Sequence, residues 1–154
     1  MNNKLRLSAL WWIIGLLITA AIVSPFAVQL MDKSIFWTNV LFSFGFVILS
    51  RTLIQLKQTY LAEHFYLRIA FFIFLFPMIF LSIEQVNHFQ YVVDYDDLNL
   101  WLSEGFKTEN LRSIRSYIQS EFMFLGVGTI IVAILLLIRL VLFTWKTLNR
   151  QISA

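Results

Sequence analysis

Charge, cysteine and catalytic motifs are what this sequence has least of. Only 14% of its 154 residues are charged and 59% are hydrophobic, whereas soluble domains are about 25% charged and about 45–50% apolar. So few charges cannot cover a surface that faces water, which excludes a soluble enzyme, a disordered chain and a nucleic-acid partner. The absence of cysteine excludes disulfides, thiolate catalysis and cysteine-ligated metals. The composition predicts an integral membrane protein.

Motifs of catalysis and transport are missing as well. The sequence has no P-loop, no GxSxG, no HExxH and no glycine-rich dinucleotide turn. Its two histidines, His64 and His88, are predicted on opposite sides of the membrane, so they cannot join one catalytic triad or hold one haem. No acidic ring marks a channel, and no inverted repeat marks a transporter. We therefore expect no enzymatic activity, no cofactor and no metal site.

Long apolar runs predict four membrane-spanning helices, because a helix needs about 20 residues to cross a hydrocarbon core about 30 Å thick. The predicted spans, within a single domain of residues 1–154, are 7–30, 34–56, 68–92 and 118–145. The first is longer than the apolar part of a signal peptide, about 7–15 residues, so we expect it to be retained. The alternative is three spans, with the first removed or interfacial. The predicted fold class is all-α, a polytopic four-transmembrane-helix bundle with a short interfacial helix between helices 3 and 4.

The third span carries polar residues into the membrane. Its 15 uncharged residues between Arg68 and Glu84 reach about 22 Å, which is less than the hydrocarbon thickness. The helix must therefore bring Glu84 into or near the outer leaflet. The polar residues that share one helical face there are Glu84, Asn87, His88 and Tyr91. Pro77 lies within this span and predicts a kink one turn earlier.

These four residues are the candidate proton or ion site. Ionisable groups at membrane depth are costly and often functional, and Glu84 and His88 have the i, i+4 spacing that would let them share a proton. A zinc ion would need three or four ligands, and no further histidine or cysteine is predicted on that side. The alternative interpretation is a hydrated helix end that pairs in part with Arg112 or Arg115.

The segment 94–118 is the only sizeable part predicted outside the bilayer. Its first apolar residues have the i, i+3, i+4 spacing of one helix face, so we expect a short helix on the membrane surface. Thr108 can cap the next helix, and no breaker follows for four turns, which predicts one rod from Thr108 to about Arg150. The candidate partner surface consists of Trp101, Leu102, Arg112 and Arg115. The alternative is a cap that only covers the helix ends.

Basic residues predict the orientation. With four spans, both termini lie on the side that carries 8 of the 12 basic residues, namely Lys4, Arg6, Arg51, Lys57, Arg68, Arg139, Lys146 and Arg150. The other side has Lys33, Lys107, Arg112 and Arg115. Because an excess of Lys and Arg marks the cytoplasmic face, the N and C termini are predicted to be cytoplasmic. The small size and compact loops favour a bacterial cytoplasmic membrane.

Residues inside the spans indicate how the helices pack. Asn39 is expected to form a hydrogen bond between helices, and Gly126 and Gly128 offer flat patches for close approach. Arg139 follows an uncharged run and is expected to reach the interface.

Two functions fit these features. The first is a small, non-enzymatic membrane subunit that assembles with itself or with larger membrane proteins. The second is a small oligomeric pore that conducts ions or protons along the Glu84/His88 face, since one bundle of this size has little room for its own water path. A membrane enzyme built from Glu84, His88 and the outer acidic residues is a third possibility that no motif supports.

Overall fold

Long helices account for most of the chain. The computed structural model describes residues 3–30, 33–94 and 108–152, in which the helices are α1 (Asn3–Val23), α2 (Ala27–Leu30), α3 (Ser34–Ile54), α4 (Phe65–Asp94) and α5 (Thr108–Ile152). α1, α3, α4 and α5 are long and apolar enough to cross a membrane. The prediction of an all-α bundle with four apolar spans is therefore confirmed. The predicted interfacial helix lies outside the described residues.

Proline interrupts the first span near its end. Pro25 has no N–H to donate to the carbonyl of Ala21, and the chain forms a 3-10 turn at Ser24–Phe26 before α2 continues. The Ser24 hydroxyl donates to the Ala21 oxygen at 3.0 Å instead. The next carbonyl, that of Ile22, accepts a hydrogen bond of 3.0 Å from the hydroxyl of Tyr117 on α5. The interruption therefore also joins α1 to α5.

The last two helices exceed the thickness of a hydrocarbon core. α4 has 30 residues and α5 has 45, which correspond to about 45 Å and about 68 Å at 1.5 Å per residue. α4 continues on both sides of Pro77. α5 runs from Thr108 to Ile152 without a break, which confirms the predicted continuous rod. Two 3-10 turns, Leu56–Gln58 and Tyr60–Ala62, connect α3 to α4.

α3 and α5 form the central pair of the bundle. α3 packs against both α1 and α5, and α4 packs mainly against α5. One buried cluster joins all of the long helices at one end of the bundle and consists of Val23, Leu30, Ile35, Phe36, Phe42, Val86, Phe89, Val92, Ile118, Phe122 and Leu125. The second lies toward the other end and consists of Leu49, Leu56, Leu75, Ala133, Leu136 and Leu140. α1 and α4 are thus the peripheral helices, and most of their surface is exposed.

Glycines let α5 approach its neighbours closely. A Cβ atom at Gly126 would lie 2.7 Å from Val86 Cγ2 and 3.1 Å from Phe42 Cε2, and one at Gly128 would lie 2.8 Å from Phe46 Cε2. Real Cβ atoms essentially never come within 3.0 Å of another heavy atom. Side chains of α3 and α4 therefore occupy the space beside Gly126 and Gly128 that a larger residue would fill. These glycines form the flat patch predicted for the fourth span.

Many of the polar contacts between helices lie in two layers, and one further contact, from the Thr129 hydroxyl to the carbonyl oxygen of Phe42, lies between them. The amide–carboxylate layer consists of Thr38, Asn39, Gln85 and Glu121, and the arginine layer consists of Arg51, Arg68 and Arg139. The two layers are 17 residues apart on α4 and 18 residues apart on α5, or about 25–27 Å. On α3 they are 12 residues apart, from Asn39 to Arg51, or about 18 Å. We call the part of the bundle between the two layers the apolar zone.

Candidate functional site

The predicted ion-site residues lie together on the outside of the bundle. Glu84, Asn87, His88 and Tyr91 are all exposed, on the face of α4 that is turned away from α3 and α5. The helical spacing brings them onto one face, as predicted. Glu84 is next to Gln85 of the amide–carboxylate layer, so this polar group begins at the edge of the apolar zone and continues beyond it. Its role in ion or proton binding stays a prediction.

Apolar residues continue the same face of α4 through the membrane. Residues spaced by three or four along the helix share one face, and those exposed on this face include Ile73, Phe76, Phe80, Glu84, Asn87, His88 and Tyr91. We call this set the α4 outward stripe. Phe80 is 70% exposed and Ile73 is 61% exposed. The stripe is therefore apolar across the membrane and polar only at one end.

The described half of the predicted partner surface lies where α4 ends. Arg112 is exposed on α5. Arg115 is half-buried, and its Nη2 donates to the carbonyl oxygen of Val93 at 3.3 Å. This bond uses one of the last carbonyls of α4, which have no partner within the helix. Trp101 and Leu102 lie outside the described residues, so the partner surface as a whole stays a prediction.

A buried polar pair joins the two central helices. Asn39 on α3 is completely buried, and its Nδ2 donates to Glu121 Oε2 on α5 at 2.8 Å. This confirms the hydrogen bond between helices that was expected of Asn39. Ser43 lies one turn further along α3, beside the same carboxylate. Among the described residues no hydrogen-bond partner is found for Asn39 Oδ1.

The acceptor in this pair was not predicted, although the sequence contains a signal for it. Glu121 follows Ile118 by three residues and precedes Leu125 by four, and both of these are buried. The helical period therefore places the carboxylate on the inward face of α5.

Arg51 and Arg68 are buried near neutral groups. Arg51 is 8% exposed, and its guanidinium lies 3.5 Å from the Ser8 hydroxyl and 6.0 Å from the ring of Trp11. Arg68 is 4% exposed and donates to the Thr147 hydroxyl at 3.4 Å. The Nε atoms of both arginines have no hydrogen-bond partner in the described part of the chain.

Arg139 completes the layer from α5. It is half-buried, and its Nη2 donates to the carbonyl oxygen of Ile54 at 3.4 Å. Ile54 is the last residue of α3, so this bond satisfies one of the carbonyls that the helix end leaves open. Arg139 thus joins α5 to the end of α3, and its expected position at the membrane interface stays a prediction.

No protein-family model matches the chain, and no curated protein or solved structure matches it significantly. Its contacts and exposed surfaces are therefore what indicate a function. The inward polar groups hold helices together, whereas Glu84, Asn87 and His88 of the α4 outward stripe are exposed on the surface of the bundle. The stripe is the better candidate for an external role.

Proposed function

We propose that this protein is a non-enzymatic membrane subunit that assembles with further copies or with larger membrane proteins through the α4 outward stripe. The observation that carries this proposal is the exposure of Glu84, Asn87 and His88 on a peripheral helix. At the edge of the apolar zone, these side chains can form hydrogen bonds with donors and acceptors of a neighbouring helix, while the apolar remainder of the stripe packs against it.

The placement of the polar end supports assembly rather than conduction by one copy. A water path through a single bundle would have to pass among α1, α3, α4 and α5, but Glu84 and His88 face away from that interior. The interior holds stacked rings instead, with Phe89 and Phe122 at a centroid distance of 3.9 Å. Conduction would therefore require several copies with their outward stripes around one axis.

Assembly through α4 can be tested by disulfide crosslinking, because the chain has no cysteine of its own and an introduced one is its only thiol. We would introduce Asn87→Cys alone, reconstitute the full chain in liposomes and form disulfides with an oxidant. The matched control is Leu17→Cys, which is 66% exposed on the other peripheral helix. We expect crosslinked species with the α4 variant only. Equal crosslinking of both variants, or none in either liposomes or the native membrane, would contradict assembly through α4.

A second experiment separates a subunit from a pore. Glu84→Gln and His88→Gln remove both ionisable groups but keep polar side chains of similar size. Native mass spectrometry in mild detergent reports copy number and partners, and a pH-sensitive dye in liposomes reports proton flux. We expect weakened assembly and no change in flux. Unchanged assembly with a loss of flux would instead identify the oligomeric pore.

We also propose that the arginine layer faces the cytoplasm of a bacterial cell, with both termini on that side. The three arginines of the layer belong to three different helices and lie at one end of the apolar zone. Because Lys and Arg are retained on the cytoplasmic face of a membrane, this clustering supports the orientation that the sequence predicts.

A further inference from the structure

A groove opens on the membrane-facing surface between α4 and α5, beside the arginine layer. Its volume is about 250 Å³, and its lining is almost entirely apolar, including Ile69, Phe72, Val141 and Trp145. Val141 and Trp145 are 52% and 65% exposed, so the groove is open toward the lipid. The polar side chains among its lining residues are Arg68 and Thr144.

Among the described residues, the Arg68 guanidinium contacts only neutral groups. Its Nη1 donates to the Thr147 hydroxyl at 3.4 Å, and its guanidinium carbon lies 5.7 Å and 5.2 Å from the ring centroids of Phe65 and Phe143. Its Nε is buried and has no hydrogen-bond partner within the described ranges. A buried cation is costly unless an anion pairs with it, and a guanidinium is suited to bind two oxygens of one phosphate.

We propose that this groove binds an anionic phospholipid, with the phosphate at Arg68 and part of one acyl chain along Phe72 and Val141. The charge complementarity favours an anion, and the apolar lining beside it favours an anion that carries a hydrocarbon chain. Basic pockets between transmembrane helices are known to bind lipid headgroups in this manner. Trp145, exposed at the mouth of the groove, is a residue type that prefers headgroup depth.

Binding is measured by native mass spectrometry and by thermal unfolding of the full chain in detergent, with phosphatidylglycerol, phosphatidylcholine or inorganic phosphate added. We expect phosphatidylglycerol to bind at least tenfold more tightly than phosphatidylcholine. Arg68→Gln should lose this preference by at least tenfold, whereas Lys57→Gln, which removes an exposed charge outside the groove, should keep it.

A second variant keeps the test decisive if Arg68→Gln does not fold. Val141→Trp leaves the arginine in place and fills the groove from its exposed side, so it should weaken binding of the lipid while the helix bundle stays intact. Equal binding of phosphatidylglycerol by all variants would overturn the proposal. It would also be overturned if inorganic phosphate stabilised the protein as much as the lipid does, because the groove would then bind a free anion.

Discussion

At the scale of single residues, the Asn39–Glu121 contact determines how α3 and α5 align. Apolar side chains pack in several registers along a helix, but one amide and one carboxylate meet at 2.8 Å in only one of them. Polar contacts of this kind add little net energy between membrane helices, about 0.6 kcal/mol on average. They can, however, specify the register, because other alignments would separate the Asn39 amide from the Glu121 carboxylate.

This predicts how the pair responds to mutation. Asn39→Leu should lower the free energy of unfolding by about 1–3 kcal/mol, because it leaves the half-buried Glu121 carboxylate without its donor. The double variant Asn39→Leu with Glu121→Leu should recover most of that loss, since two apolar side chains replace the pair. SDS-induced unfolding in mixed micelles measures both values. If the double variant were as unstable as the sum of the single ones, the two residues would act independently.

The same pair shows what sequence could and could not reveal about the site. An asparagine inside an apolar run is conspicuous, so Asn39 was recognised as a donor. Its acceptor depends on which face of α5 meets α3, and hydropathy alone does not say which helices are neighbours. The outward placement of Glu84 and His88 could not be predicted for a similar reason. The membrane-spanning part of α4 is apolar on every side, so its sequence does not show which face packs inward.

At the scale of helices, two features shape the bundle: α5 approaches its neighbours closely, and the first span is interrupted near its end. α5 lies close to α3 and α4 because Gly126 and Gly128 leave room for side chains of those helices. α1 is interrupted at Pro25, and the Tyr117 hydroxyl then binds the exposed carbonyl of Ile22. Sequence predicted the length of α5 and the role of the glycines, since both are local signals. The bond from Tyr117 joins residues 95 positions apart, which no local pattern contains.

Glycine substitutions test the close approach of α5. Gly126→Ala should lower the free energy of unfolding by about 1–3 kcal/mol, because its Cβ would meet Val86 and the ring of Phe42, both of which are buried. The matched control is Gly45→Ala on α3, whose Cβ would have its nearest neighbours at 3.8 Å. Alanine favours a helix over glycine by about 1 kcal/mol, so the control should be neutral or more stable. If both variants lost the same free energy of unfolding in the same micelle assay, the close contacts at Gly126 would not be what makes its substitution destabilising.

At the scale of the whole molecule, the fold follows from the medium. A hydrocarbon layer about 30 Å thick requires long helices that satisfy their own backbone hydrogen bonds, so the number of apolar runs predicted the number of spans. The order in which the helices pack could not be predicted in this way, because lipid is as apolar as the side chains that face it. Small residues and buried polar pairs decide that order, and their partners are distant in sequence.

Orientation is a property of the whole chain and can be measured on it. Gln58, between α3 and α4, and Gln119, on α5, are both exposed and lie beyond opposite layers. In intact bacterial cells, a membrane-impermeant maleimide should label Gln119→Cys and should not label Gln58→Cys. After permeabilisation both variants should react, which controls for accessibility of the thiols. This expectation follows from the proposed orientation, in which the arginine layer faces the cytoplasm. Labelling of Gln58→Cys alone in intact cells would show that the protein inserts the other way round.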